Sequence, residues 1–229
     1  MRSKQSGFTL VEIAIVLVII GLLLGGVLKG QELINSAKVK NMIGDFRTTS
    51  TFVYAYQDKF RALPGDDRNV VANVNGTLAT TVGQTVGNGR IEGNWNSATT
   101  TDESYLFWQH VRLAGLATGT TAVGALDYPA RNADGGNLGI TGTTPIPGWL
   151  GTNFVCSSGI QGRIARQIDT TMDDGHTGTG TVRVLTGAVK VAAAAVADAN
   201  AGERAAGVAN AVSLETIDDT TLFTVCAGY

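Results

Sequence analysis

The chain has 229 residues, a net charge of −2 and only 16% charged residues. That balance excludes a default attraction to nucleic acid or to an anionic membrane surface, and the length allows one globular core plus a separate N-terminal element. Thirty glycines and abundant Thr, Ala and Asn point to short strands joined by polar loops rather than to a helical enzyme core.

The chain opens on Met1-Arg2-Ser3-Lys4-Gln5-Ser6-Gly7, a short polar stretch with two basic residues, and runs directly into an apolar segment, 8–28, whose one charge is Glu12. At about 1.5 Å per residue a helix of that length crosses a hydrocarbon core of about 30 Å. The leading basic residues favour a cytoplasmic N-terminus with the remainder of the chain on the far side. An ordinary secretory signal carries its small-residue cleavage site after the apolar core; here the small residue at the boundary is Gly7, before it. Cleavage at Gly7 leaves the apolar helix on the mature chain.

The run Gly7-Phe8-Thr9-Leu10-Val11-Glu12 closely resembles the class III signal of type IV pilins and type II secretion pseudopilins. The resemblance implies a prepilin peptidase that cuts after Gly7 and methylates the new amine of Phe8. It implies α+β architecture, pilin-like, with a long N-terminal helix packed on an antiparallel β-sheet head. Glu12 has its own physical argument, because a carboxylate within an apolar span is costly unless paired. The resemblance supplies the Phe8 amine of a neighbouring subunit as its partner; its own N-terminal amine and a recruiting membrane protein are alternatives. A further reading places Glu12 near enough to the helix N-terminus to reach the interface and favour the helix dipole.

Helical periodicity continues past the apolar run. Val39, Met42, Phe46, Thr49, Val53, Tyr56 and Phe60 recur at steps of three and four, with Lys38, Lys40, Asp45, Arg47, Asp58 and Lys59 around them. An unbroken helix over 8–60 is about 80 Å long, and Leu63-Pro64-Gly65 is expected to stop it. Gly25, Gly26, Gly30 and Gly44 make the junction a candidate for bending, with close helix packing as the competing explanation. Major pilins usually carry a proline about twenty residues into the mature chain, and none stands near Lys29. The expected organisation is a leader, 1–7, a transmembrane and assembly helix, 8–28, its amphipathic continuation, 29–62, and a globular head, 63–229.

Within the head, 66–101 reads as a long loop with short strands, turning at Gly87-Asn88-Gly89 and Gly93-Asn94. A helix is expected over 102–115, with Leu106, Trp108, Val111 and Leu113 available for burial. The Trp108-Gln109-His110 run, with Arg61-Ala62-Leu63-Pro64-Gly65-Asp66, extends the pilin-like resemblance into the head. Strand-like pieces follow within 146–160, then a short helix at 164–172 and alternating strands at 181–185 and 221–225. The alanine-rich 188–212 reads as a helical or loop insertion.

Cys156 and Cys226, each beside β-prone residues, are expected to form a disulfide in an oxidising compartment. The competing reading is two reduced, buried thiols; two cysteines without a neighbouring histidine do not fill a tetrahedral metal site. His110 and His176 stand in unlike contexts and read as surface or capping residues. No nucleophile elbow, phosphate loop or Cys-x-x-Cys is present, so no enzymatic activity and no cofactor are expected. Asp173 and Asp174, and Asp66 with Asp67, are weak candidates for calcium, because neither pair has the spaced acids of an EF-hand. They read first as solvated turns.

The expected function is a structural subunit of a type IV pilus-like or type II secretion-type filament that polymerises through the N-terminal helix. A minor subunit that initiates or caps such a filament, and a membrane-anchored adhesin or binding protein, are the alternatives. Expected partners are copies of itself or related pilins, the prepilin peptidase, inner-membrane assembly machinery and, before assembly, the lipid bilayer. The expected location is a single pass through the inner membrane with the head outside the cytoplasm, followed by a periplasmic or cell-surface filament.

Overall fold

The structure is a computed structural model and describes residues 9–146, 148–186 and 217–229. The expected cleavage and methylation positions, Gly7 and Phe8, and the 188–212 insertion lie outside the described residues. Two compact units are present, Met1–Lys38 and Val39–Tyr229.

Helix α1 covers Leu10–Phe60 and passes without a break through Gly21, Gly25, Gly26, Gly30 and Gly44. Its 39–60 part belongs to the second unit, where Val39, Met42, Ile43, Phe46, Thr49, Val53 and Tyr56 are buried. These positions trace one stripe of a 3.6-residue helix, the pattern of an element with one face on a core. Phe60, at the end of the expected stripe, is only half-buried. The helix stops earlier than Pro64 requires. Arg61 takes a left-handed conformation, φ 57°, and its N–H donates to the Gln57 carbonyl at 2.9 Å, a C-terminal cap that exhausts the helix before the proline is reached.

The remaining elements are α2 (Val70–Val74), α3 (Glu103–Leu113), β1 (Leu138–Thr141), β2 (Phe154–Gln161), α4 (Gly162–Met172), β3 (Val182–Thr186) and β4 (Leu222–Gly228). The four strands form one sheet in the order β1-β2-β4-β3, every neighbouring pair antiparallel. One core joins α1 residues Val39, Met42, Phe46 and Val53 to sheet residues Ile140, Val155, Ile160, Val184 and Val225, with Ile164 and Ile168 of α4 closing it. The protein therefore has the α+β, pilin-like plan: a long N-terminal helix with an apolar N-terminal part, and a head built on a four-stranded antiparallel sheet.

Several local expectations need correction. Among the described residues, 66–101 holds no strand; it holds α2 and a series of turns. Those turns are organised by buried carboxylates rather than solvated ones. Asp66 accepts the backbone N–H groups of Gly87, Asn88 and Gly89, and Asp67 accepts Tyr56 Oη and Asn73 Nδ2, both at 2.8 Å. With both carboxylates committed to backbone and side-chain donors, this pair clasps the loop, and no third acid, histidine or cysteine among the described residues completes a metal-ligand group with it. On α3, Leu106, Trp108 and Val111 are buried but Leu113 is 36% exposed; Tyr105, Phe107 and His110 complete the covered surface instead. Gly65 is needed where it stands: its φ is 93°, and a Cβ there would lie 2.4 Å from the Glu103 carbonyl oxygen.

Candidate functional site

The N-terminal unit owes its character to apolar side chains that stand exposed among the described residues. Leu10, Val11, Ile13, Ile15, Val16, Leu17, Val18, Ile19, Ile20, Leu22, Leu23, Leu24, Val27 and Leu28 are all exposed, and so are Leu33 and Ile34. A helix apolar on every side, unlike one with a stripe, belongs in a membrane or in the core of an assembly. Apolarity gives way at Lys29 and Glu32, which meet at 2.7 Å across one helical turn. At Gly21, Gly25, Gly26 and Gly30 a Cβ would meet no atom within 4 Å. Folding of the isolated chain gives no reason for glycine at these four positions.

The start of α1 is closed by its own side chains. Thr9 Oγ1 and the Thr9 N–H both donate to Glu12 Oε2 at 2.8 Å, and the Glu12 N–H donates to Thr9 Oγ1 at 3.3 Å. This is a reciprocal capping box, Thr-x-x-Glu, which satisfies donors that a helix start otherwise leaves open and places a negative charge at the positive end of the helix dipole. Thr9 was missed as a functional residue, although the T-x-x-E spacing before an apolar run was visible. The structure thus finds Glu12 exposed and engaged with Thr9.

Residues 2–28 match the family model described as the prokaryotic N-terminal methylation motif. The N-terminal segment carries the class III signal of type IV pilins and pseudopilins. That motif, with the apolar helix, supports a membrane-anchored protein of the pilin and pseudopilin class and implies processing by a prepilin peptidase. No curated protein and no solved structure matches the chain.

In the head the structure brings three sets of chemistry-bearing residues together. Cys156 and Cys226 face each other directly across β2 and β4 and are joined by a disulfide, S–S 2.06 Å, Cα–Cα 4.0 Å. Trp95, Ile146, Trp149, Phe154 and Leu185 pack around it. Glu103 begins α3 fully buried: Oε2 accepts the Glu92 N–H at 2.7 Å, while Oε1 accepts no bond among the described residues. Burial, reinforced by the charges of Asp66, Glu92 and Asp102, pushes its carboxyl up to about 8. At the far end of the sheet, Asp173 and Asp174 lie beside Asp169 of α4, one carboxylate oxygen from each within 4.8 Å of the others. Burial, with the charges of Asp174 and Asp173, pushes Asp169 up to about 6.

The two histidines are unlike. His110, expected as a surface or capping residue, is fully buried and engages backbone groups of two loops: Nδ1 accepts the Gly65 N–H at 2.8 Å, so Nε2 carries the proton and donates to the Thr77 carbonyl at 2.9 Å. Burial lowers its pKa, and the neutral ring acts as a rivet between two loops. His176 is exposed beside Asp174. Sequence reading could not have told them apart, since burial of His110 depends on contacts 33 and 45 residues away.

Proposed function

We propose that this chain is a structural subunit of a type IV pilus-like or type II secretion-type filament, polymerising through the N-terminal helix and catalysing no reaction. The observation that carries the reading is the combination of the methylation motif over residues 2–28 with a helix whose apolar residues from Leu10 to Leu28 are all exposed. A bilayer covers such a surface before assembly, and the helices of neighbouring copies or related pilins cover it afterwards. The four glycines that the isolated chain does not need allow helices to approach closely in both settings.

In this reading prepilin peptidase cuts between Gly7 and Phe8 and methylates the Phe8 amine, and the leader is 1–7. The amine created at Phe8 adjoins Thr9, whose N–H already holds Glu12. An incoming positive amine competes for the same carboxylate in a low-dielectric surrounding, where the attraction between opposite charges is strongest. Glu12 then changes from a cap within one helix to a pairing group between subunits. The chain passes once through the inner membrane with the head outside the cytoplasm, and the assembled form is periplasmic or at the cell surface. The amphipathic continuation, 29–62, and the head, 63–229, supply the outer layer.

The test is intact-mass analysis of the protein from its native host, together with identification of the chain in filaments sheared from those cells. A mature chain beginning at methylated Phe8 and present in filaments is expected. A mature chain beginning beyond Leu24 would sink the proposal, and so would a correctly processed chain found only in the membrane fraction, which is the behaviour of an anchored binding protein.

A further inference from the structure

The head has a cleft of about 260 Å³ between α3 and the chain that leads into β1, walled by Trp95, Tyr105, Trp108, Tyr128 and Leu138. Leu126, 97% exposed, also lines it. No Asp, Glu, Lys or Arg does. A charged occupant would lose its water there and gain no partner, so the cleft suits an uncharged one. Its volume lies below the about 300–1,000 Å³ of clefts that take drug-sized molecules and fits one or two apolar side chains. The walls are fixed before anything binds: the Tyr105 and Tyr128 rings stack at 4.5 Å, Tyr128 Oη donates to the Tyr105 carbonyl at 3.0 Å, and Arg112 Nη1 donates to the Tyr128 carbonyl at 2.7 Å. A preformed cleft loses little freedom when it is filled.

The same chain carries a side chain of matching chemistry. Leu150, on the connection from β1 to β2, is 91% exposed although Trp149 beside it is buried. Its place is fixed from both sides: Trp149 Nε1 donates to the Gly180 carbonyl at 3.1 Å, and the Thr152 N–H donates to the Tyr229 carbonyl at 2.9 Å. No charged residue occurs anywhere in 135–162. A single exposed leucine needs no explanation by itself; an immobilised one on an uncharged stretch, in a chain with an uncharged cleft of the right size, has a place to go. That place is not in its own head. Leu138, the first residue of β1, lines the cleft, whereas the connection bearing Leu150 leaves from Thr141 at the other end of the strand. Val82, 92% exposed, is the weaker fit, because the Thr81 hydroxyl beside it donates to Asp102 at 2.6 Å and brings a carboxylate with it.

We infer that Leu150 of one copy of this chain seats in the aromatic cleft of the next copy. Donor and acceptor are different surfaces, so the contact is heterologous: each head gives its leucine to one neighbour and receives a leucine from another. Contacts of that kind build open helical polymers when the rotation between copies does not close a ring. The inference rests on the filament reading proposed above and adds to it a contact between heads, separate from the packing of the N-terminal helices.

The experiment uses the full chain in its native host. With p-benzoylphenylalanine in place of Leu150, irradiation of sheared filaments is expected to give a ladder of multimers whose adducts map by mass spectrometry to 95–108 or 125–138. Leu150→Asp and Leu126→Lys each put a charge on one side of the contact at a highly exposed position, so both are expected to keep the wild-type Tm in detergent and the wild-type amount in the membrane. Each alone is expected to lower the filament yield at least about tenfold, and the two together to recover most of it, because the opposite charges then face each other. Val82→Asp is expected to assemble as the wild type does. Filaments that lack the wild-type chain would remove the filament reading and this contact with it; filaments that hold the wild type and Leu150→Asp alike would remove the contact alone. Adducts outside the cleft or on a different protein, or a double variant no better than the single ones, would also overturn it.

Discussion

The two parts of α1 obey opposite rules within one continuous helix. From Leu10 to Leu28 the apolar residues are exposed all round; from Val39 to Tyr56 they occupy one stripe and are buried. The C-terminal part gets its stability from the head, because each buried side chain removes apolar area from water in the folded monomer. Among the described residues the N-terminal part shows no such return, which suits a helix covered by a bilayer or, in the filament proposed above, by other subunits. Apolar content alone therefore does not tell a core element from an assembly element. The angular distribution of apolar residues around the helix does.

Truncating one residue from each part gives the largest contrast. Phe46→Ala deletes a ring with 0% exposure from the core and is expected to destabilise the head by about 3–5 kcal/mol in denaturant unfolding. Leu17→Ala, at a 62% exposed position, is expected to leave head stability unchanged and to affect only membrane retention or assembly. A large loss of head stability from Leu17→Ala would break the division.

Next in size is the disulfide. Reducing it, or Cys226→Ser with Cys156→Ser, releases a cross-link spanning 70 residues and is expected to cost the head about 2–4 kcal/mol while membrane insertion stays unchanged. Unfolding melts with and without reductant, alongside membrane fractionation, measure both. Equal melts would mean that β2–β4 pairing and the aromatic residues around the bridge suffice without it.

Much of this contrast could be read before the structure, and the failures have physical causes. The stripe from Val39 to Tyr56 declared itself through period, as did α4, β3 and β4, whose patterns are strong over their own length. Strand β1, Leu138-Gly139-Ile140-Thr141, is too short for alternation and is buried along its whole length, so only its partner β2 defines it. Helix α2 is rich in valine, against its intrinsic preference; it forms where Asp67 takes the Asn69 N–H and Asn73 Nδ2, a tertiary arrangement anchored by Tyr56. Asp173 and Asp174 were visible as acids, but the burial of Asp169 beside them was not, because it depends on which face of α4 meets the sheet. Glu12 was read for its place in an apolar run, and that reading hid the shorter-range signal of Thr9.

Glu103 offers a pH test confined to the head. Its carboxyl is raised in the folded protein, so between the ordinary carboxylate range and about 8 the folded state holds a proton that the unfolded state has released. Stability is then expected to fall as pH rises through that window and to level off above it. Glu103→Gln, which keeps an oxygen for the Glu92 N–H, is expected to flatten the profile and to melt higher than wild type at pH 8. A wild-type profile that rises from pH 5 to 8, with no change on substitution, would mean that Glu103 stays ionised in the fold.

The smallest expected effect on stability carries the sharpest information about the N-terminal part. Thr9→Val removes the hydroxyl that completes the capping box but leaves Glu12 charged; Glu12→Gln keeps an oxygen for the Thr9 donors but removes the charge. As a cap alone, either change costs about 1 kcal/mol or less, seen as roughly fivefold faster hydrogen exchange in the first turn of α1 in detergent. The assembly proposal separates them. Pairing with the Phe8 amine requires the charge and not the hydroxyl, so Thr9→Val is expected to enter sheared filaments near wild-type levels, whereas Glu12→Gln and Glu12→Ala remain in the membrane fraction. If Glu12→Gln assembles as well as Thr9→Val does, the carboxylate serves only to start the helix, and the partner assigned to it between subunits must be given up.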